Sequence, residues 1–103
     1  DIDNVESLRV PEHIALLDLD TLSEPLKLRK WHEGDRFVPL GMVDEKKVSD
    51  FLIDAKVSMP EKRRQFVLTS GENIVWLVGQ RIDNRYKITS KTENVLRITK
   101  EAL

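Results

Sequence analysis

The stretch that decides the fold is Arg29–Asp54, RKWHEGDRFVPLGMVDEKKVSDFLID. Turn signals, charge and apolar pattern are densest here. Glu33-Gly34-Asp35 reads as a tight turn with positive φ at Gly34, which has no Cβ to clash. Arg36 and Phe37 leave that turn, and Pro39 and Gly41 keep residues 38–42 irregular. An amphipathic helix is expected over about residues 44–56. Val48, Phe51, Leu52 and Ala55 recur at i, i+3, i+4 and i+7 and should face a core. Asp44 suits the N-cap. Lys46 and Lys47 would then lie in the first helical turn, where the dipole disfavours each by roughly a few tenths of a kcal/mol. Either an anion joins them, aided by free backbone N–H groups, or the turn is solvated and Lys46 pairs with Asp50. The residues alone leave both open.

Upstream, residues 1–12 are polar, punctuated by Pro11 and begin without methionine. They read as a linker or irregular lead-in, and the chain reads as a fragment of a longer one. Residues 13–103 form a single domain. His13 to Leu19 suits a short buried strand, and Asp20 to Pro25 a turn. Leu26 to Trp31 alternates, with the leucines expected inward and Lys27, Arg29 and Trp31 on the other face. Such a face can stack a base and hold phosphate, or be an ordinary polar sheet face.

Downstream, Ser58-x-x-Glu61 is a capping box, with Pro60 in the first turn of a short helix over about residues 59–64. Gln65 to Thr69 and Ile74 to Val78 flank Ser70-Gly71-Glu72-Asn73 as a hairpin. The Ile74 to Val78 run is apolar without alternation, so the sheet should be covered on both faces. Gln80 to Thr89 is polar, anchored by Ile82, Tyr86 and Ile88. Val95 to Thr99 reads as a closing strand. The fold class is α+β: a layered domain with a β-sandwich-like core of short strands and two helices.

The 103 residues suffice for one core, and no apolar run approaches membrane-spanning length. The polar, acidic start is neither a signal nor a transit peptide. Absence of cysteine excludes disulfides and thiolate metal sites and fits a cytoplasmic location. The net charge of -1 hides a division: residues 1–25 carry -6, and the remainder +5. A moderately basic body permits nucleic-acid binding without demanding it.

Catalytic chemistry is not visible. His13 and His32 lack metal-ligand spacing. Asp50 and Asp54 share a helix face but suit salt bridges to nearby lysines better than acid/base work. No Walker or dinucleotide glycine loop occurs. What remains is cationic, in four groups: Lys27, Arg29, Lys30 and Arg36; Lys46 and Lys47; Lys62, Arg63 and Arg64; Arg81, Arg85 and Lys87. Brought together by the fold, such groups would track phosphate, as duplex RNA recognition requires.

Three segments, LKLRKWHEGDRFVPLGM, KKVSDFLIDAKVSMPEKRR and IVWLVGQRIDNRYKIT, carry a resemblance. In order and spacing the chain resembles the C-terminal domain of tRNA(Ile)-lysidine synthetase over about residues 14–99. The resemblance implies a layered α+β fold with an unusual β-sandwich, similar to a domain of the phenylalanyl-tRNA synthetase β subunit. It implies a parent ligase of the cytoplasm that uses ATP, with magnesium, to join lysine to the wobble cytidine of tRNA(Ile) with a CAU anticodon. The family's catalytic loop, Ser-Gly-Gly-x-Asp-Ser, does not occur here. This chain should therefore need no cofactor and serve tRNA recognition, at the acceptor stem. Its expected contacts are Arg29, Arg36, Lys46, Lys47, Arg63, Arg64 and Arg81. Its other partner would be the N-terminal catalytic domain. The alternative is an interdomain or dimerisation module without RNA contact, using Trp31 and Phe37. Two departures stand out. Val43-Asp44-Glu45 replaces small or basic residues, setting two acids beside the lysines, and Ser23-Glu24 precedes Pro25 where an apolar residue is usual.

Overall fold

The computed structural model describes residues 10–101. Most of the lead-in expected over residues 1–12 lies outside the described residues. The elements are β1 (Ile14–Asp18), β2 (Leu26–Lys30), β3 (Arg36–Phe37), β4 (Lys46–Lys47), α1 (Val48–Asp54), α2 (Met59–Arg63), β5 (Phe66–Ser70), β6 (Asn73–Leu77), β7 (Arg81–Ile82) and β8 (Val95–Thr99). No described helix is long and apolar enough to cross a membrane.

An antiparallel sheet in the order β2-β5-β6-β7 forms the middle layer. The β5–β6 hairpin turns at Gly71, whose φ of 59° at the first turn position suits a tight two-residue loop. β6 is buried at four successive positions, Ile74 to Leu77, because both faces of the sheet are covered. Ile74 opposes Thr69 and Trp76 opposes Leu68, so Val75 is an extra residue, a bulge. The bulge sends Val75 and Trp76 to one face and Ile74 and Leu77 to the other.

On the first face Ile74, Leu77 and Val67 pack with Phe37 of β3 and with Val48, Phe51 and Leu52 of α1. Burying each large apolar side chain there contributes about 1.5–3 kcal/mol. On the second face Val75 and Trp76 pack under Ala15 and Leu17 of β1, which pairs with β8 across the whole length of both strands. The molecule is thus three layers, α+β, as the apolar run in β6 required.

The first helix is shorter than its pattern. Lys46 and Lys47 are not helical: their backbone pairs with Phe37 and Arg36 as the ribbon β3–β4. The N-cap is Lys47, without a side-chain cap, rather than Asp44. The first helical N–H, of Val48, donates instead to the Asp35 carbonyl at 2.9 Å. At the other end Lys56 N–H donates to Ile53 and Val57 N–H to Leu52, a Schellman closure. Lys56 therefore takes a left-handed φ of 58°, and Ala55 is exposed past the helix end rather than in the core.

The second helix follows the sequence. Ser58 Oγ accepts from Glu61 N–H and donates to the Glu61 carboxylate at 2.8 Å. In β2 the expectation is reversed: Leu26 and Leu28 are 41% and 63% exposed. The second face runs past the edge of the β1–β8 cover, so the leucines on it meet solvent. The opposite face holds Arg29, half-buried, because Asp35 waits there for its guanidinium.

Candidate nucleic-acid interface

The ribbon β3–β4 organises the cations. Alternation puts Phe37 into the core and Arg36 outward. Lys47 stands opposite Arg36 on the same outer face, and Lys46 shares the inner face with Phe37. Lys46 is accordingly half-buried and pairs with Asp54, in the last turn of α1, rather than with Asp50. Arg36 Nε lies 3.4 Å from Glu45 Oε1. Lys47 has no ion pair among the described residues.

Together these side chains line an open concavity of about 400 Å³. Three cations, Arg36, Lys46 and Lys47, face three carboxylates, Glu45, Asp50 and Asp54, with Met42 and Ile53 as its apolar part. The concavity is therefore near neutral, with its positive charge on the outer ribbon face. Arg81 is not among the lining residues; its guanidinium lies 5.1 Å above the ring of Phe51 in α1, which also packs edge-on against Phe37.

Two buried carboxylates hold this surface in shape. Asp83 is fully buried and accepts from Val38 N–H, from Arg85 N–H and from the Arg85 guanidinium at 2.8–3.0 Å. It thereby pins the Pro-Leu-Gly segment, whose Leu40 N–H and Gly41 N–H also bond to Ile82 and Asn84. The Arg85 guanidinium holds its proton more firmly than usual because of the hydrogen bonds it donates to Asp83. Burial opposes this, and the field of Glu45 adds to it. Asp35 accepts two bonds from Arg29, at 2.9 and 3.0 Å, and one from His32 N–H. Burial pushes the Asp35 carboxyl up, but the hydrogen bonds from Arg29 and His32, with their charges, outweigh it and hold the pKa below the carboxylate range.

Of the seven expected contacts, the fold brings Arg36, Lys46 and Lys47 onto one ribbon and places Arg81 beside the helix it leads into. Arg29 is committed to Asp35. Arg63 and Arg64 are exposed on α2, a separate site. There Arg64 lines a smaller concavity, about 160 Å³, with Lys100 and Glu61. Lys100 was missed in the sequence because it lies far along the chain; the pairing of β8 with β1 carries it there. Among the described residues no three His, Asp or Glu side chains are placed to hold a metal.

The fold and this surface define a small layered α+β domain with a cationic ribbon on one face. A family model, the TilS substrate C-terminal domain, matches residues 26–99, and the chain belongs to that family. It is 47% identical to the tRNA(Ile)-lysidine synthase of Bacteroides thetaiotaomicron over 85% of this chain and 21% of that protein. The enzyme of Parabacteroides distasonis is 52% identical over 82% of this chain and 19% of its own length. That of Caldanaerobacter subterraneus is 36% identical over 98% and 22%. The chain thus spans about a fifth of the length of the curated relatives it matches. Among solved structures, a TILS C-terminal domain superposes with a TM-score of 0.73 at 20% identity, over 91% of this chain and 75% of that one. An N-terminal fragment of the phenylalanyl-tRNA synthetase β subunit from Pyrococcus horikoshii gives 0.65 at 19%, over 82% and 26%. Both share the fold.

Proposed function

We propose that this chain is the non-catalytic tRNA-recognition domain of an ATP-dependent tRNA(Ile)-lysidine synthetase, and that its ribbon face takes the acceptor stem. The observation that carries the reading is the Arg36–Lys47 pair. Two cations directly opposite on an exposed two-stranded ribbon repel, and Glu45 answers only Arg36, which leaves Lys47 without an ion pair among the described residues. A phosphate between them turns that repulsion into attraction. Lys46, on the inner face, is neutralised by Asp54, and Asp83 fixes the adjoining loop so that little order is lost on binding.

ATP chemistry belongs elsewhere in such an enzyme. The four glycines here occupy four separate turns, Gly34, Gly41, Gly71 and Gly79, each with positive φ. They form no single glycine-rich loop, which suits the reading that the nucleotide is held in another part of the enzyme. The alternative module built on Trp31 and Phe37 loses support. Phe37 is fully buried in this chain's own core, and Trp31 Nε1 donates to the Lys62 carbonyl at 2.8 Å.

The test is anisotropy titration of a labelled acceptor-stem duplex at two salt concentrations. Arg36→Ala and Lys47→Ala should each weaken binding and reduce the salt slope by about 0.9. Absence of binding by the parent chain at low salt would sink the proposal.

A further inference from the structure

Among the described residues β2 is an unpaired edge of the four-stranded sheet. Trp31 N–H donates to the Gln65 carbonyl at 3.1 Å, and Gly71 N–H to the Pro25 carbonyl at 3.0 Å. Hydrogen-bonded pairs in an antiparallel ladder recur at every second residue, so Lys27 and Arg29 turn their backbone groups to β5. Leu26, Leu28 and Lys30 turn theirs outward. The Lys30 carbonyl accepts from Arg29 Nη1 at 3.1 Å, in keeping with that sense. The N–H and C=O of Leu28 have no partner among the described residues.

Edges are ordinarily blunted by a charge, a proline or a covering element. Here cations flank the edge, Lys27 and Lys30 exposed, but the central edge residue is a leucine, 63% exposed, with Leu26 and Phe66 exposed on the same face and Lys30 at its end. That face continues into the apolar cluster beneath β1, which covers only its far half. The opposite face presents Lys27; Arg29 adds no free charge, being held by Asp35.

We propose that the β2 edge is a docking site for an extended polypeptide segment of alternating apolar and acidic residues, added as a fifth strand. The register dictates the alternation. Side chains beside Leu26 and Leu28 continue the apolar face, and those beside Lys27 lie on the cationic one. A second copy of the chain fits poorly: antiparallel pairing about Leu28 sets Lys27 against the copy's equally cationic strand. The source is the same longer polypeptide. The relatives extend far beyond this domain, and a tethered segment needs only millimolar intrinsic affinity.

Backbone amide exchange of the chain, followed by NMR, tests this with the capped peptide Val-Glu-Val-Glu-Val and its counterpart Val-Lys-Val-Lys-Val. The net charge of -1 gives the chain no general preference for the acidic one. At low-millimolar concentration the acidic peptide should slow exchange at Leu26 and Leu28 by about threefold, and the basic one should not. Leu28→Pro removes one outward N–H at a position where an edge tolerates proline. It should abolish protection at Leu26, and Leu28→Ser should weaken it, with β5 and β6 amides unchanged in both. Equal protection by both peptides, protection by neither, protection by chain concentration alone or protection by an RNA duplex overturns the proposal.

Discussion

Glu45 sets how much of the ribbon is available to an anion. Its carboxylate sits 3.4 Å from Arg36, with the two side chains 54% and 49% exposed, and its field reaches Arg85 as well. An exposed pair of this kind contributes about 0.2–1 kcal/mol, and Arg36 must give that up before it takes a phosphate. Glu45→Gln keeps the shape and removes the charge. Returning this energy to binding tightens the RNA complex by about 1.4-fold to 5-fold. Because Arg36 already counts as a phosphate contact, the gain should appear in affinity with the salt slope little changed. The assay is duplex titration at about 50 and 200 mM salt, run beside Arg36→Ala. In the double variant the gain should vanish, because the glutamine then has nothing to release. Unchanged affinity in folded Glu45→Gln would refute the idea that Glu45 competes with phosphate.

Two further outcomes follow from the fold. Asp35→Asn breaks the two-pronged bond to Arg29 and should cost about 1–3 kcal/mol in urea unfolding at neutral pH. Because the folded Asp35 pKa is depressed, its contribution is present above the unfolded value near 3.8 and is lost as pH falls through the folded value. The variant should therefore show a flatter acid limb than the parent, and identical limbs count against the pair. Lys56→Gly relieves a left-handed residue at the helix C-terminus and should raise stability by about 0.5–1 kcal/mol. A loss of stability there means the Lys56 side chain contributes more than its backbone costs.

How much was legible depended on whether the signal was local. The β6 run Ile74 to Leu77 announced a doubly covered sheet because burial on both faces leaves no polar alternation. Ser58-x-x-Glu61 announced α2 because the cap is made within four residues. The first helix misled at both ends. Lys46 and Lys47 continue a helical pattern, yet β3 offers them ladder hydrogen bonds, and a tertiary partner outweighs propensity over two residues. Leucine alternation in β2 was real, but which face meets the core depends on where the β1–β8 ribbon ends.

By itself the sequence determined the α+β class, the turn at Gly34, the short strands and the candidate cations Arg36, Lys46 and Lys47. These follow from short-range patterns of size, charge and backbone freedom. Only the tertiary structure decided what each cation does. Arg29 is locked by Asp35, Lys46 by Asp54 and Arg36 by Glu45, while Lys47 stays open on the ribbon. Partner choice is a matter of distance in space. The chain order places Glu45 next to Lys46, but the ribbon turns it towards Arg36.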